Sequence, residues 1–392
     1  MSLFHIVLKS LRQHALSTWV TALSIALAGG LLMAVWAVKT QSSEAFTNVS
    51  GGFDAVLGAR GSKLQLVLNS IYHLEASTGN LKWQDHLDIQ ANRSVAESIP
   101  LAVGDNYLGY RIVGTLTNLF RESPLAAGRV FNAGYREALL GSFASQRLGL
   151  KVGDRFQPYH GLIFNPEDQH EENYVVVGVL EPANSPVDRV IWIPLEGVQN
   201  MAGHDPGAAS DISAVLVKLR TPVAGQQLDL LYNKQGSRLT FAWPIGAIMA
   251  QLFDKIGWFD RVLAIVAYLV ALVATGSILA SIYNSMNERR RDFAILRALG
   301  ARRHTIFSAV VLESVAIAAL GMLIAFGIYV VIMAGAAGVI RAQTGVVLEP
   351  LAWHQVMFWA PMGMIAAAAL AGMVPAFKAY RTDVAENLVP VS

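Results

Sequence analysis

One short stretch gathers residue types able to hold a metal ion or move protons: His160, Glu167, Asp168, His170, Glu171 and Glu172. Imidazoles and carboxylates together suit a zinc-type ion. Yet these six follow no regular ligand spacing, and the surrounding HGLIFNPEDQHEEN is polar and rich in turn formers. A solvated, mobile loop is the favoured expectation, with no metal bound. The rest of the nine histidines are scattered. There is no cysteine, so disulfides, thiolate nucleophiles and Cys-type zinc sites drop out together.

Other chemical signatures are missing too. The sequence contains no GxxxxGK[ST], so it lacks a loop that would cradle the phosphates of ATP. GARGSK at 58–63 has the wrong spacing and reads as a turn. Neither GxSxG nor HExxH occurs. Glu313 is the exceptional ionisable group inside an apolar segment, where an acid is a functional candidate by default. An ion relay would need more such acids. Glu313 is therefore expected to pair with Arg302 or Arg303, or to touch a neighbouring helix, which argues against ion-coupled secondary transport.

The elements that position these residues follow from composition. The 392 residues are 54% hydrophobic and 15% charged, with net charge +2, and the mean hydropathy is +0.42. Ordinary soluble domains carry about 25% charged residues. The small net charge also gives no sign of a nucleic-acid partner. Four runs reach the roughly 20 apolar residues that a bilayer crossing requires. The reading is an integral membrane α-helical protein with four transmembrane helices and a large extracytoplasmic α+β domain inserted between helices 1 and 2.

Orientation follows from Lys and Arg beside the spans. Lys9 and Arg12 precede the first, and Lys378 and Arg381 follow the last. Residues 285–306 hold Arg289, Arg290, Arg291, Arg297, Arg302 and Arg303 against Glu288 and Asp292, whereas the loop between spans three and four has only Arg341. Both termini and the arginine-rich loop are thus expected to be cytoplasmic. Residues 1–18 make a cytoplasmic amphipathic helix that can lie on membrane lipid, 19–38 the first span, and 39–258 the outer domain with stalk helices at its ends. The second span is 259–284, and 285–305 is a cytoplasmic loop with a short helix. Residues 306–340 form the third span, 341–356 a short outer loop, 357–377 the fourth span and 378–392 a cytoplasmic tail.

Within the insert, FDAVLG, YLGYRIVGT, YVVVGVL, RVIWIPL and ISAVLVKL read as strands. ALLGSFASQRLGLKVGDRF reads as a helix stopped at Gly149, then a turn at Gly153-Asp154 and a strand. Ile245, Ile248, Met249, Leu252, Phe253 and Ile256 fall on one helical stripe that leads into the second span. TQSSEAFTNV continues the first span, so two helices would rise from the membrane as a stalk. Gly276 with Ala280, and Ser277 with Ser281, would let helices approach closely, within one subunit or in a homodimer.

Between spans two and three, Phe293, Ile295, Leu296 and Leu299 give a short helix an apolar side, with Arg291, Asp292 and Arg297 polar and Gly300 as its stop. The run Asn287-Glu288-Arg289-Arg290-Arg291-Asp292-Phe293-Ala294-Ile295-Leu296-Arg297-Ala298-Leu299-Gly300-Ala301-Arg302-Arg303, with Leu312-Glu313-Ser314 beyond it, resembles the FtsX-like permease family, the MacB-type (type VII) permeases of ABC transporters. Asp292 and Phe293 stand where that family usually has Glu and Ile. Pro375-Ala376 and Arg381 to Leu388 resemble the family's closing motif, with Val384 in place of the common Pro, and LLGSFASQRLGLKVGDRF resembles its outer-domain motif.

The resemblance implies a permease of the bacterial inner membrane, with no catalytic residue and no cofactor of its own. ATP and Mg would bind a separate ATP-binding subunit, docked on the helix of Arg291, Asp292, Phe293, Ile295, Leu296, Arg297, Leu299 and Gly300. ATPase dimerisation would move the stalks and outer domains, which is mechanotransmission. A second copy of the chain and a periplasmic adaptor or substrate-binding protein are further implied partners. Export or extraction of a substrate from the periplasmic side is the leading expectation. The alternative is a non-transporting regulator that transmits ATPase state to a periplasmic partner such as a hydrolase.

Overall fold

A computed structural model of the chain describes residues 3–201, 210–288, 295, 297, 298 and 300–381. It divides into two compact units, one of Met1–Gln41, Ile256–Gly338 and Glu349–Ser392, the other of Ser42–Lys255 and Val339–Leu348.

The first unit is helical. Four helices are long and apolar enough to cross a membrane: Ala15–Asn48, Ile245–Glu288, Arg303–Thr344 and Val356–Arg381. Their buried residues include many small or flexible ones, such as Ala22, Ala26, Met33, Ala318, Met322 and Ala325, beside Ile25, Ile278, Ile317 and Tyr329. Leu23, Leu27, Leu272, Val273, Leu323, Val331 and Leu370 stand exposed. In water such a surface would aggregate, whereas in hydrocarbon it carries no penalty. Close approach is made by glycines of the first and third membrane helices. A Cβ on Gly30 would lie 2.8 Å from Ile328 Cγ2, and one on Gly29 would lie 2.6 Å from Met322 Sδ. The positions expected from the second helix behave differently: Gly276 faces open space, while Ser281 Oγ meets Ser17 Oγ at 2.7 Å.

All four helices overrun the apolar lengths read from the sequence, because hydropathy marks only what contacts lipid. The first runs ten residues past Val38, and its tail Ser42–Asn48 belongs to the second unit. The second begins at Ile245, with Ile245, Ile248 and Met249 buried and Leu252 and Phe253 packed on the same core. Ile256 leaves that stripe and is exposed. Residues 339–348, at the end of the third helix, also fall in the second unit.

Thirteen strands are described in the second unit: β1 (Ala55–Ala59), β2 (Leu81–Lys82), β3 (Val95–Tyr107), β4 (Tyr110–Thr115), β5 (Leu125–Gly128), β6 (Glu137–Leu140), β7 (Arg155–Phe156), β8 (Tyr159–His160), β9 (Tyr174–Leu180), β10 (Ile191–Pro194), β11 (Asp211–Ile212), β12 (Ala214–Leu219) and β13 (Leu239–Ala242). The main sheet runs β13-β1-β12-β3-β4-β10-β6-β9-β5, with β7 on β9 and β8 on β3. β3 is the hinge of this layout. Its first half pairs with β12 and its second with β4, so one 13-residue strand serves two half-sheets.

Alternation divides the core between the two faces. Leu57, Val215, Val217, Ile191 and Ile193 enter one cluster, while Val56, Ala214, Leu216, Val190 and Trp192 enter the other. Ala138, Leu139 and Leu140 were expected to begin a helix but form β6, flanked by β10 and β9. A short apolar run suits either state, and here pairing on both edges decides it. The helix starts only at Ser142 and ends at Gly149, whose φ of 71° is the left-handed conformation glycine adopts freely. GARGSK, expected as a turn, instead holds the end of β1 at Gly58-Ala59 and a short bend at 60–62, where the Ser62 hydroxyl accepts a hydrogen bond from the N–H of Gln65 and starts the helix Lys63–Ser70.

Candidate functional site

The arginine-rich segment is described in part. Arg291, Asp292, Phe293, Leu296 and Leu299 lie outside the described residues, as does the closing motif from Thr382 onward. Ile295 is exposed and Arg297 half-buried. Gly300 takes φ 97°, and its N–H donates to the Arg297 carbonyl at 3.0 Å. The third membrane helix restarts at Arg303. Cations and aromatic rings gather at this end of the helical unit. The Arg303 guanidinium sits 5.7 Å from the Tyr380 ring centroid, and Lys378 Nζ lies 4.3 Å from that of Tyr283 while donating to its hydroxyl. Such pairs suit a membrane–water boundary, where one end of the side chain is apolar and the other wet.

Glu313 is buried in the third helix, and it accepts a hydrogen bond from the Ser10 hydroxyl. Ser10 and Val7 are the buried residues of the N-terminal helix Leu3–Gln13, while Phe4 is exposed. A buried acid without a donor would cost several kcal/mol or give up its charge. The amphipathic N-terminal helix thus has a polar anchor in the bundle as well as an apolar face.

In the outer unit, Tyr72 clasps the end of the first membrane helix. Its hydroxyl donates to the carbonyls of Phe46 and Val49, the latter at 3.0 Å, and burial raises its pKa. Its ring stacks on Phe46 at 5.2 Å, and Phe46 meets Phe253 of the second membrane helix at 5.9 Å. Nearby is a cavity of about 260 Å³ lined by His73, Phe120, Trp192 and Leu216 among others. His73 packs edge-on to Trp192, and burial, aided by the charges of Arg111 and Arg189, pushes its pKa down to about 3.

The 160–172 loop departs from expectation. His170 and Glu172 are each only 7% exposed, so this is no freely solvated segment. His160 belongs to β8, which pairs with β3 so that His160 stands directly opposite Asp105. Asp105, His160 and His170 bring one nitrogen or oxygen each within 4.8 Å of one another. Asp105 was missed by sequence reasoning because it lies 55 positions before His160, joined to it by strand register alone. The acids of the original group that remain exposed, Glu167, Asp168 and Glu171, are not part of this cluster.

Comparison with known proteins gives two family matches. The model described as MacB-like periplasmic core domain matches residues 16–229, and that described as FtsX-like permease C-terminal matches residues 264–384. Among solved structures, the extracellular domain of the noncanonic ABC-type transporter YknZ from Gram-positive bacteria is similar at 14% identity and TM-score 0.32, covering 48% of this chain and 98% of that one. The periplasmic region of MacB from Actinobacillus actinomycetemcomitans is similar at 15% identity and TM-score 0.36, covering 54% of this chain and 98% of that one. No curated protein matches.

Proposed function

The chain belongs to the MacB-like, FtsX-like family of ABC transporter permeases, and from that premise we propose that it passes ATP hydrolysis in a separate cytoplasmic subunit to its outer domain. The observation that carries this reading is the length of two helices. Ala15–Asn48 has 34 residues and Ile245–Glu288 has 44. At 1.5 Å per residue they extend about 51 and 66 Å, against a hydrocarbon core of about 30 Å. Each surplus is folded into the outer unit through Phe46 and Phe253. Unbroken helices of this kind carry displacement without dissipating it in a loop.

The input is the segment between spans two and three. The sequence spacing of Phe293, Ile295, Leu296 and Leu299, which would give a short helix an apolar side, suits a groove on a cytosolic partner. By the distribution of Lys and Arg, both termini and this segment face the cytoplasm and the outer domain faces the periplasm. Two copies of the chain would present two such helices to two ATP-binding subunits. The cargo is taken from the outer side and exported or extracted. ATP and Mg stay with the partner.

Co-purification tests the proposal. The detergent-solubilised protein should bring down an ATP-binding subunit with measurable ATPase activity. Leu299→Asp, which puts a charge on the apolar side, should abolish that capture while membrane insertion is retained. A chain that comes down alone, or capture unchanged by Leu299→Asp and by Leu296→Asp, overturns the assignment of the input helix.

A further inference from the structure

The geometry assigns a binding site for a first-row divalent transition-metal ion to Asp105, His160 and His170, and we propose that the ion fastens the 157–173 hairpin onto β3. Three separate chain positions converge there. Asp105 Oδ1 lies 3.1 Å from His170 Nε2 and 3.5 Å from His160 Nδ1. Ligands bound at 2.0–2.1 Å in a tetrahedral shell sit about 3.3 Å from each other; both Asp105 spacings are close to that, and all three donor atoms lie within 4.8 Å of one another. The two imidazole rings lie 5.5 Å apart between centroids, with their planes 79° apart.

Backbone pairing holds the donors in place. The β3–β8 register sets Asp105 across from His160. The pairing of β3 with β4 shifts between Val103 and Asp105, an irregularity of the kind that re-aims a side chain. Tyr159 bridges Gln169, and the His160 N–H donates to the Asp168 carbonyl at 2.7 Å. The His170 N–H donates to the Pro158 carbonyl at 2.9 Å, so both histidines fall on one face of a closed hairpin. Asn106, next to Asp105, ties the turn down by donating to the Gly161 carbonyl at 2.9 Å.

Burial also suits a cation here: Asp105 is fully buried, and Glu172 in the same hairpin segment is only 7% exposed. Buried carboxylates are ordinarily paired or bound to metal. The His160 side chain, 54% exposed, leaves a path for the ion from solvent. Two imidazoles and one carboxylate select Zn2+ and its neighbours in the first row over Mg2+ or Ca2+, which prefer oxygen.

The test uses the full-length protein in detergent, stripped with chelator and titrated with Zn2+ against a chromophoric competitor, with a parallel Co2+ titration read by its visible bands. The expected result is one saturable equivalent per chain, with no competition from Mg2+. His160→Ala alters a half-exposed side chain and should keep the fold, while weakening Zn2+ binding at least about 100-fold, since loss of a partner behind the ligands alone costs 10–100-fold. Asp105→Asn, at a buried position, serves as a second variant if its melting profile is intact. Absence of a saturable site, or unchanged Zn2+ affinity in His160→Ala, overturns the proposal.

Discussion

Replacing Tyr72 with phenylalanine tests the clasp between the first membrane helix and the outer domain by removing a single oxygen. The last four carbonyls of any helix lack partners within it. In Ala15–Asn48 the Ala45 carbonyl is met by the Val49 N–H at 3.2 Å, and the Phe46 carbonyl is met by the Tyr72 hydroxyl. Tyr72 is 1% exposed, so water cannot easily replace that donor. The variant keeps the ring and its 5.2 Å stack on Phe46 and leaves a carbonyl short of a partner. One proton serves both carbonyls, so the loss is that of one buried hydrogen bond, about 1–2 kcal/mol. For a unit of this size that corresponds to a drop of about 2–8 °C in Tm. Thermal unfolding of the purified protein, followed by intrinsic fluorescence, reads the effect. If the clasp also transmits displacement, stimulation of the partner ATPase by cargo should fall by more than the loss of folded protein explains. A Tyr72→Phe protein that melts within about 1 °C of the parent would refute the accounting.

Two further predictions concern other parts of the chain. Gly30→Val should disrupt the crossing of the first and third membrane helices, because its Cβ would lie 2.8 Å from Ile328 Cγ2 and 3.0 Å from the Ala325 carbonyl. A cost of about 1–3 kcal/mol is expected, visible as reduced yield and earlier melting in detergent, and parent-like behaviour would contradict it. His73 supplies a pH dependence. Its folded pKa is about 3 against an ordinary 6.5, so the unfolded chain binds the extra proton between those values. Stability conferred by a neutral His73 is complete above pH 6.5 and is lost as pH falls toward 3, by up to about 1.4 kcal/mol per pH unit. His73→Gln should flatten part of the decline in Tm between pH 7.5 and 5, and identical slopes would count against the assignment.

Periodicity made much of this architecture legible. The four apolar runs, the stripe from Ile245 to Phe253 and the strands around Val176, Trp192 and Leu216 are local patterns, each set by one element burying one or both of its faces. What local pattern could not supply was pairing between distant strands. Leu139 and Leu140 look helical until β9 and β10 flank them. Asp105 looks like one strand acid among several until β8 is placed opposite. The helix crossings were legible only in part for a related reason: Ser281 does meet Ser17, whereas Gly30 and Gly321 were not singled out. Small residues occur throughout the membrane helices, and only the rotation of each helix decides that Gly30 and Gly321 touch a neighbour while Gly276 does not.

That rotation bears on the mechanism. Gly29 and Gly30 draw the first helix onto Met322, Ala325 and Ile328 of the third, and Gly321 brings the third against Ala22 and Ile25 of the first. Such reciprocal glycine contacts leave no room between these two helices for a solute, and their buried neighbours Ala26, Met33, Ala318 and Tyr329 are mainly apolar. Among the described residues, the buried polar groups of the unit are Ser10 with Glu313, Ser314, Thr18 and Thr21. The second membrane helix is different: Leu269, Leu272 and Val273 are exposed along it and Gly276 is open. It meets the bundle through Ala274, Ile278 and Ile282 and through Ser281 on Ser17, and it runs directly into the segment after Glu288. If the segment after Glu288 is pushed by a nucleotide-driven partner, the second helix is the element that responds first. On the coupling proposed above, the contact of Phe253 with Phe46 would hand that movement to the outer domain.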